Sequence, residues 1–379
     1  MERIIINVSD VLPHLTKAVS VVAAKNTMAI LSDVLVKTYR NSKGEPMMMI
    51  TGSDGENTLS VAAPVEEAEP DVCFAVNAKD FLNVLSTLNG HTVTLEKDVE
   101  ANTIRGSHES GRFSIPFDNP DEMPSQNIDD GESRSEIILD SQVFLESMTK
   151  PLFAVGNSQV RPSMNGLRFD FKGDVLVTVG LSHARIVRYM RNNVNGADGM
   201  GFTLPTKPAT VLSKILAKTE GDIKVSFSSR NVVVSKSDFR FIARLQEGNY
   251  PKYDKVIPDS TPINIVVGRD EMLEALKRIL PLGNESSSIR MELSEGKMTL
   301  KAEYIEYSKA AAEEITVGYH GEDMSIGLNG GFLSENIYNI DDDNVSIGII
   351  SPEKPVVITP LHCEEYEDYI SLINPLVLA

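Results

Sequence analysis

The residues best suited to chemistry are few, and each fails on its spacing. Ser182 lies in GLSHA, Gly180 to Ala184, which loosely follows a nucleophile elbow: a sharp strand-to-helix turn presenting a serine beside oxyanion-stabilising amides. The ARIVRYMRN that follows has the β-branched and aromatic character of a strand, so the helix that elbow requires is missing. His362 and Cys363 are adjacent, but neighbours on a strand point to opposite faces, and no second Cys or His stands at zinc-ligand spacing. Asp341-Asp342-Asp343-Asn344 lacks the turn glycine and bidentate glutamate of a calcium loop and reads as a solvated turn between helix and strand. GADGMG has neither the Lys-Ser/Thr of one phosphate loop nor the glycine order of the other. The 6 histidines are scattered without a carboxylate or serine partner. No catalytic residue, metal or cofactor is therefore expected, and what remains is a scaffold whose geometry carries the function.

That scaffold is repetitive. At intervals of about sixty to seventy residues a bulky apolar pair follows a helix-start signal: Val11-Leu12, Phe81-Leu82, Phe144-Leu145, Val211-Leu212, Met272-Leu273 and Phe332-Leu333. Caps or breakers precede the pairs: Ser9 and Asp10, Asn77, Asp140 and Ser141, Pro205 and Thr206, Asp270, and Asn329. Apolar residues then continue at helical spacing, so each helix has one buried stripe, and the stripe bearing the six leucines is expected to face a sheet. Between helices the period changes to alternation, as in HTVTLEKD, DIKVSFSS, NVVVSKSD, SIRMELSE and KMTLKAEY, which predicts several short antiparallel strands per helix. One helix per group of strands excludes a doubly wound parallel sheet and gives an α+β class.

Pairing the six units predicts three similar domains, 1–124, 125–258 and 259–379, each with two helices on antiparallel sheets. Pro- and acid-rich stretches, FDNPDEMPSQNIDDGESR and EGNYPKYDKVIPDSTP, mark the joins. A chain of 379 residues with 41% hydrophobic content has ample core for that division. Two cysteines are too few for a disulfide framework, and MERIIINVSD is neither leader nor anchor, so a cytoplasmic protein with no membrane partner is expected. The net charge of −18 argues at first sight against nucleic acid.

Over essentially its whole length the chain resembles the bacterial DNA polymerase III beta subunit, the beta sliding clamp. The resemblance is carried by FIARLQEGNYPKYDKVIP (Phe241 to Pro258), KNTMAIL (Lys25 to Leu31), VRPSMNGL (Val160 to Leu167), AAEEITV (Ala311 to Val317) and the terminal INPLVLA, in order and at the family's distances. It implies a ring-shaped head-to-tail homodimer with helices lining a central hole and sheets outside. It also implies a non-catalytic processivity role: duplex DNA encircled without sequence preference, with the DNA polymerase III alpha subunit, the clamp loader, and other polymerases and repair proteins as partners. Topological retention answers the charge objection, since tight phosphate binding would oppose sliding.

By position, Lys25, Lys79, Arg161 and Lys207 match DNA-facing family residues. A peptide-binding pocket is implied at Met164, Leu181, His183, Arg185, Ile186, Pro251, Val256, Asn329, Phe332, Val345, Ile347, Ile373, Pro375, Leu376 and Leu378. A protomer interface is implied with Arg112, Phe113 and Ile115 against Ile279 and Leu280. Two departures stand out. Leu181-Ser182-His183-Ala184-Arg185-Ile186 replaces a common Thr-Asp-Gly-His-Arg-Leu, placing a histidine where the family has glycine, and the sixth helix carries Glu335 where the other five regions carry Lys or Arg. They leave open a divergent clamp-fold peptide-binding scaffold that does not encircle DNA.

Overall fold

The computed structural model describes residues 2–23, 28–124, 134–194 and 199–377. Among them are six α-helices: α1 (Val8–Val19), α2 (Ala78–Thr87), α3 (Ser141–Leu152), α4 (Thr206–Leu216), α5 (Arg269–Ile279) and α6 (Gly330–Tyr338). Asn77 and Asn329 cap α2 and α6, their side chains accepting from the amides of Asp80 at 3.2 Å and Phe332 at 2.8 Å. α1 begins earlier than its Ser-Asp signal suggested. Asn7 is the cap, and Asp10 sits in the first turn, where its charge suits the positive helix end. No helix among the described residues is long and apolar enough to cross a membrane.

The buried stripe is offset by one residue from the repeated leucines. Val11, Phe81, Phe144 and Met272 are fully buried, whereas Leu12, Leu82, Leu145 and Leu273 are half-buried; only Leu212 and Leu333 of the six leucines lie in the core. Each buried position recurs four residues on, at Leu15, Leu85, Met148, Leu216, Leu276 and Ile337. Four residues is just over one turn, so both side chains meet the same surface.

The chain packs as two compact units, one of Met1–Gln142 with Lys207–Leu245, the other of Val143–Thr206 with Gln246–Ala379. The first holds a 13-stranded antiparallel sheet among the described residues, in which Asn57–Pro64 pairs with Phe239–Arg244. The second holds an 8-stranded sheet, in which Arg185–Arg191 pairs with Glu367–Ile373, and a 4-stranded sheet. Arg191 stands directly opposite Glu367 and forms an ion pair with it. Strands from the first and fourth repeats, and from the third and sixth, thus complete one sheet each and cover one another's edges. The chain between the two Pro-rich joins consequently contributes to both units.

The second Pro-rich join is firmly docked in the second unit. Tyr253 is buried and its hydroxyl donates to Asp170 at 2.8 Å, while the Tyr250 hydroxyl donates to the Val179 carbonyl at 3.0 Å. GLSHA forms a strand-to-strand turn closed by the Ser182 amide on the Arg185 carbonyl at 2.9 Å, so no helix follows the serine.

In the first unit Asp33 is buried at the start of strand Asp33–Arg40, with one carboxylate oxygen unpartnered. Burial, a hydrogen bond with Asp118 and that neighbour's charge push its pKa up to about 7. A raised carboxyl pKa gives stability that is complete below the unfolded value near 4 and is lost as pH rises through 7. Asp33→Asn should therefore lessen the loss of unfolding free energy between pH 5 and pH 8, read from urea melts. An unchanged pH dependence would contradict this.

Candidate functional site

In the second unit, the turn after Leu181, one face of α6 and the segment Asn374-Pro375-Leu376 that follows the last strand enclose two adjoining cavities. One of about 950 Å³ is walled by Leu280, Asn329, Tyr338, Pro375 and Leu376; the other, of about 690 Å³, by Val155, Val160, Met164, Leu181 and Arg185. His183 and Phe332 line both and divide them.

The partition is held rigidly. The Arg185 guanidinium lies 4.5 Å from the Phe332 ring centroid and 5.2 Å from that of Phe153, pairs with Glu335, and donates to the Phe153 carbonyl. Only 9% of Arg185 is exposed, so each polar contact replaces water that burial removed. Asn329 caps α6 and also donates to the Ser286 carbonyl at 2.8 Å, fixing the rim. The tail is tied down by the Asn374 amide on the Ala184 carbonyl and the Leu376 amide on the Gly327 carbonyl, both at 2.8 Å. Large apolar walls with a few fixed polar groups suit an extended peptide.

Of the implied pocket residues, Met164, Leu181, His183, Arg185, Asn329, Phe332, Pro375 and Leu376 line these cavities. Ile186 is half-buried against the cluster of Met164, Val179, Leu181 and Tyr253. Val345, Ile347 and Ile373 have no exposed surface and belong to the core beneath. Pro251 and Val256 lie on the docked Pro-rich segment outside both cavities, and Leu378 is outside the described residues. Sequence reading missed the walls Glu285 and Tyr338 and the Phe153 ring that backs Arg185, because nothing local marks residues that meet only when distant segments come together.

The basic residues are less free than their number suggests. Lys25 is outside the described residues, and Lys79 and Arg161 are exposed. Lys207 is paired with Asp54, whose side chain is 6% exposed. Burial alone would raise the Asp54 pKa, but the bonds from Lys207, from Asn57 and from the Glu56 amide outweigh it and hold the carboxyl below its ordinary value. Lys150 pairs with Asp341, and Arg278 with Glu274 and Glu313. Exposed helix positions otherwise mix Ser, Thr and Asn, as at Ser9, Thr16, Asn83, Ser86 and Thr149, with carboxylates, as at Asp10, Asp80, Glu146, Asp270 and Glu274.

Two of the open strand edges among the described residues lie in the first and second units, respectively. Gly111–Asp118 pairs along Thr103–His108, but on its other side only through Phe117 and Asp118; Lys309–Thr316 ends the 4-stranded sheet. Arg112 is exposed, Phe113 half-buried and Ile115 buried. Ile279 is fully buried and Leu280 lines the groove, so Leu282, 40% exposed, is the accessible apolar residue there. Phe113 covers Gly106, where an added Cβ would sit 2.0 Å from the ring. The resemblance implies that Phe113 packs at a protomer interface, and Gly106→Val, by displacing that ring, should then weaken self-association about tenfold or more, measured by sedimentation equilibrium. Unchanged association would show that Phe113 is not at the interface.

In sequence, residues 2–129, 138–252 and 254–372 match the N-terminal, central and C-terminal domains of the DNA polymerase III beta subunit in that order. The chain belongs to that family. It is 23% identical over 368 residues to the beta sliding clamp of Streptococcus pneumoniae serotype 4, covering 94% of each chain, and 27% identical over 329 residues to that of Haemophilus influenzae, covering 84% and 85%. Its fold is that of a sliding clamp from Pseudomonas aeruginosa bound to griselimycin, with TM-score 0.91 and 21% identity, and of the beta subunit from Thermotoga maritima, with TM-score 0.89 and 22% identity. Both structures are covered over 100% of their length. The family has three domains along the chain, whereas packing divides this one into two units; pairing of strands between repeats accounts for the difference.

Proposed function

We propose that two copies of this chain close head to tail into a ring around duplex DNA and tether the replicative polymerase, without catalysing a reaction themselves. The observation that carries the proposal is the ordered match of all three clamp domains along one chain. In this reading the domains are 1–124, 125–258 and 259–379. The open edges at Gly111–Asp118 and Lys309–Thr316 meet across each protomer junction, with Arg112, Phe113 and Ile115 on one side and the turn of Ile279, Leu280 and Leu282 on the other.

The helices present polar side chains to the DNA. Lys79 is a diffuse phosphate contact, together with Lys25, while Lys207 acts chiefly through Asp54. Weak, replaceable contacts fit a protein that slides and explain how an acidic chain encircles an anion. The two-cavity groove takes linear peptides of the DNA polymerase III alpha subunit, the clamp loader and other polymerases or repair proteins, in the cytoplasm. Primer extension by the cognate polymerase and clamp loader tests this reading. Product length should rise at least tenfold with the chain present, and equal lengths with and without it would refute the proposal.

A second reading, a peptide-binding scaffold that does not encircle DNA, draws support from the carboxylates that engage Lys150, Lys207 and Arg278. It predicts peptide binding with no effect on product length.

A further inference from the structure

We propose that the groove selects its peptide by charge polarity as well as by apolar anchors, taking an acidic side chain at the Arg161 end and a basic one at the Glu285 end. The inference rests on the reading of this groove as a peptide site. The charged residues lining the smaller cavity are Arg161 and Arg185, with no carboxylate among them; those lining the larger are Glu285 and Glu335, with no Lys or Arg. Arg185 and Glu335 pair with one another across the partition and cancel. Arg161 and Glu285 remain, both exposed and neither in an ion pair among the described residues.

The cavities meet only at His183 and Phe332, so an extended chain that fills both must cross that partition and present its two ends to opposite charges. Apolar walls lie on each side, Met164 and Leu181 at one end and Leu280 and Leu376 at the other. They supply affinity without specifying which end of a peptide enters which cavity. The charges supply that register, because a reversed peptide places like charges together at both ends. Arg161 is thereby assigned to peptide recognition rather than to DNA. Each exposed pair is worth a few-fold in affinity, and the effect weakens with salt.

The test uses the full-length protein and two fluorescently labelled peptides, acetylated and amidated, that share one apolar core: Glu-Leu-Thr-Leu-Ile-Lys and Lys-Leu-Thr-Leu-Ile-Glu. Anisotropy titrations at low salt should show one order bound about tenfold more tightly than the other. The charge-inverted Arg161→Glu/Glu285→Lys protein should prefer the opposite order, and both preferences should shrink in 0.5 M salt. Equal affinities for the two peptides, or a preference that survives charge inversion, would overturn the inference and leave the peptide site standing. Failure of both peptides to bind the wild-type protein would instead overturn the reading of the groove on which the inference rests.

Discussion

Arg185→Ala should lower the unfolding free energy by about 3 kcal/mol and weaken peptide binding on the order of 100-fold. The side chain is 9% exposed and stacked between Phe153 and Phe332, so truncation opens a void where two rings lose their shared plate. The Phe153 carbonyl loses its donor, and Glu335 loses the cation that holds it beside the groove. Phe332, no longer backed, would lean into the space and merge the two cavities. Arg185→Lys would keep the charge without the planar fork that bridges two rings, a carbonyl and a carboxylate, so it should recover less than half of either loss. Urea unfolding and peptide anisotropy read the two effects. Wild-type values for the Ala variant would contradict this account of the partition.

Gly180→Ala should destabilise the chain by about 3 kcal/mol although it adds a single methyl group. A Cβ there would lie 2.0 Å from the carbonyl oxygen of Pro151 and 2.9 Å from its carbon, near the end of α3, and backbone atoms cannot swing aside like a side chain. The helix end must lift or the strand must bend, and Leu181, the next residue, is a groove wall. A Cβ at Gly52 would likewise lie 2.2 Å from the Ala18 carbonyl oxygen of α1, so the first and third helices dock their ends on a strand glycine alike. Gly318→Ala is the control. Nothing lies within 4 Å of its added Cβ, and the change should stay within about 0.5 kcal/mol. Equal thermal midpoints for Gly180→Ala and the control would show that the close approach is not maintained in solution.

The repeat was legible because helix starts and apolar spacing are local. Asn77 and Asn329 could be read directly as caps, and the alternating segments became strands where expected. The phase of the stripe was harder. In Phe81-Leu82 both residues are large and apolar, and which one is buried depends on how the helix is rotated on its sheet. The ion pairing of the cations was not legible either, because Lys207 and Asp54 are far apart in the chain and only folding pairs them. Within the groove, residues in VRPSMNGL and INPLVLA were recognisable as segments. Glu285 and Tyr338 carry no such mark, and Val345 and Ile347, on one face of their strand, turned inward to the core.

A closed ring stays on DNA only while the DNA has no free end. The labelled protein is loaded onto a nicked circular plasmid by the cognate clamp loader, and gel filtration follows at a salt concentration that screens phosphate contacts, before and after cleavage at a single restriction site. The account predicts that the protein travels with the intact circle and is released when the DNA becomes linear. Release from both forms alike, or equal retention on both, would contradict encirclement.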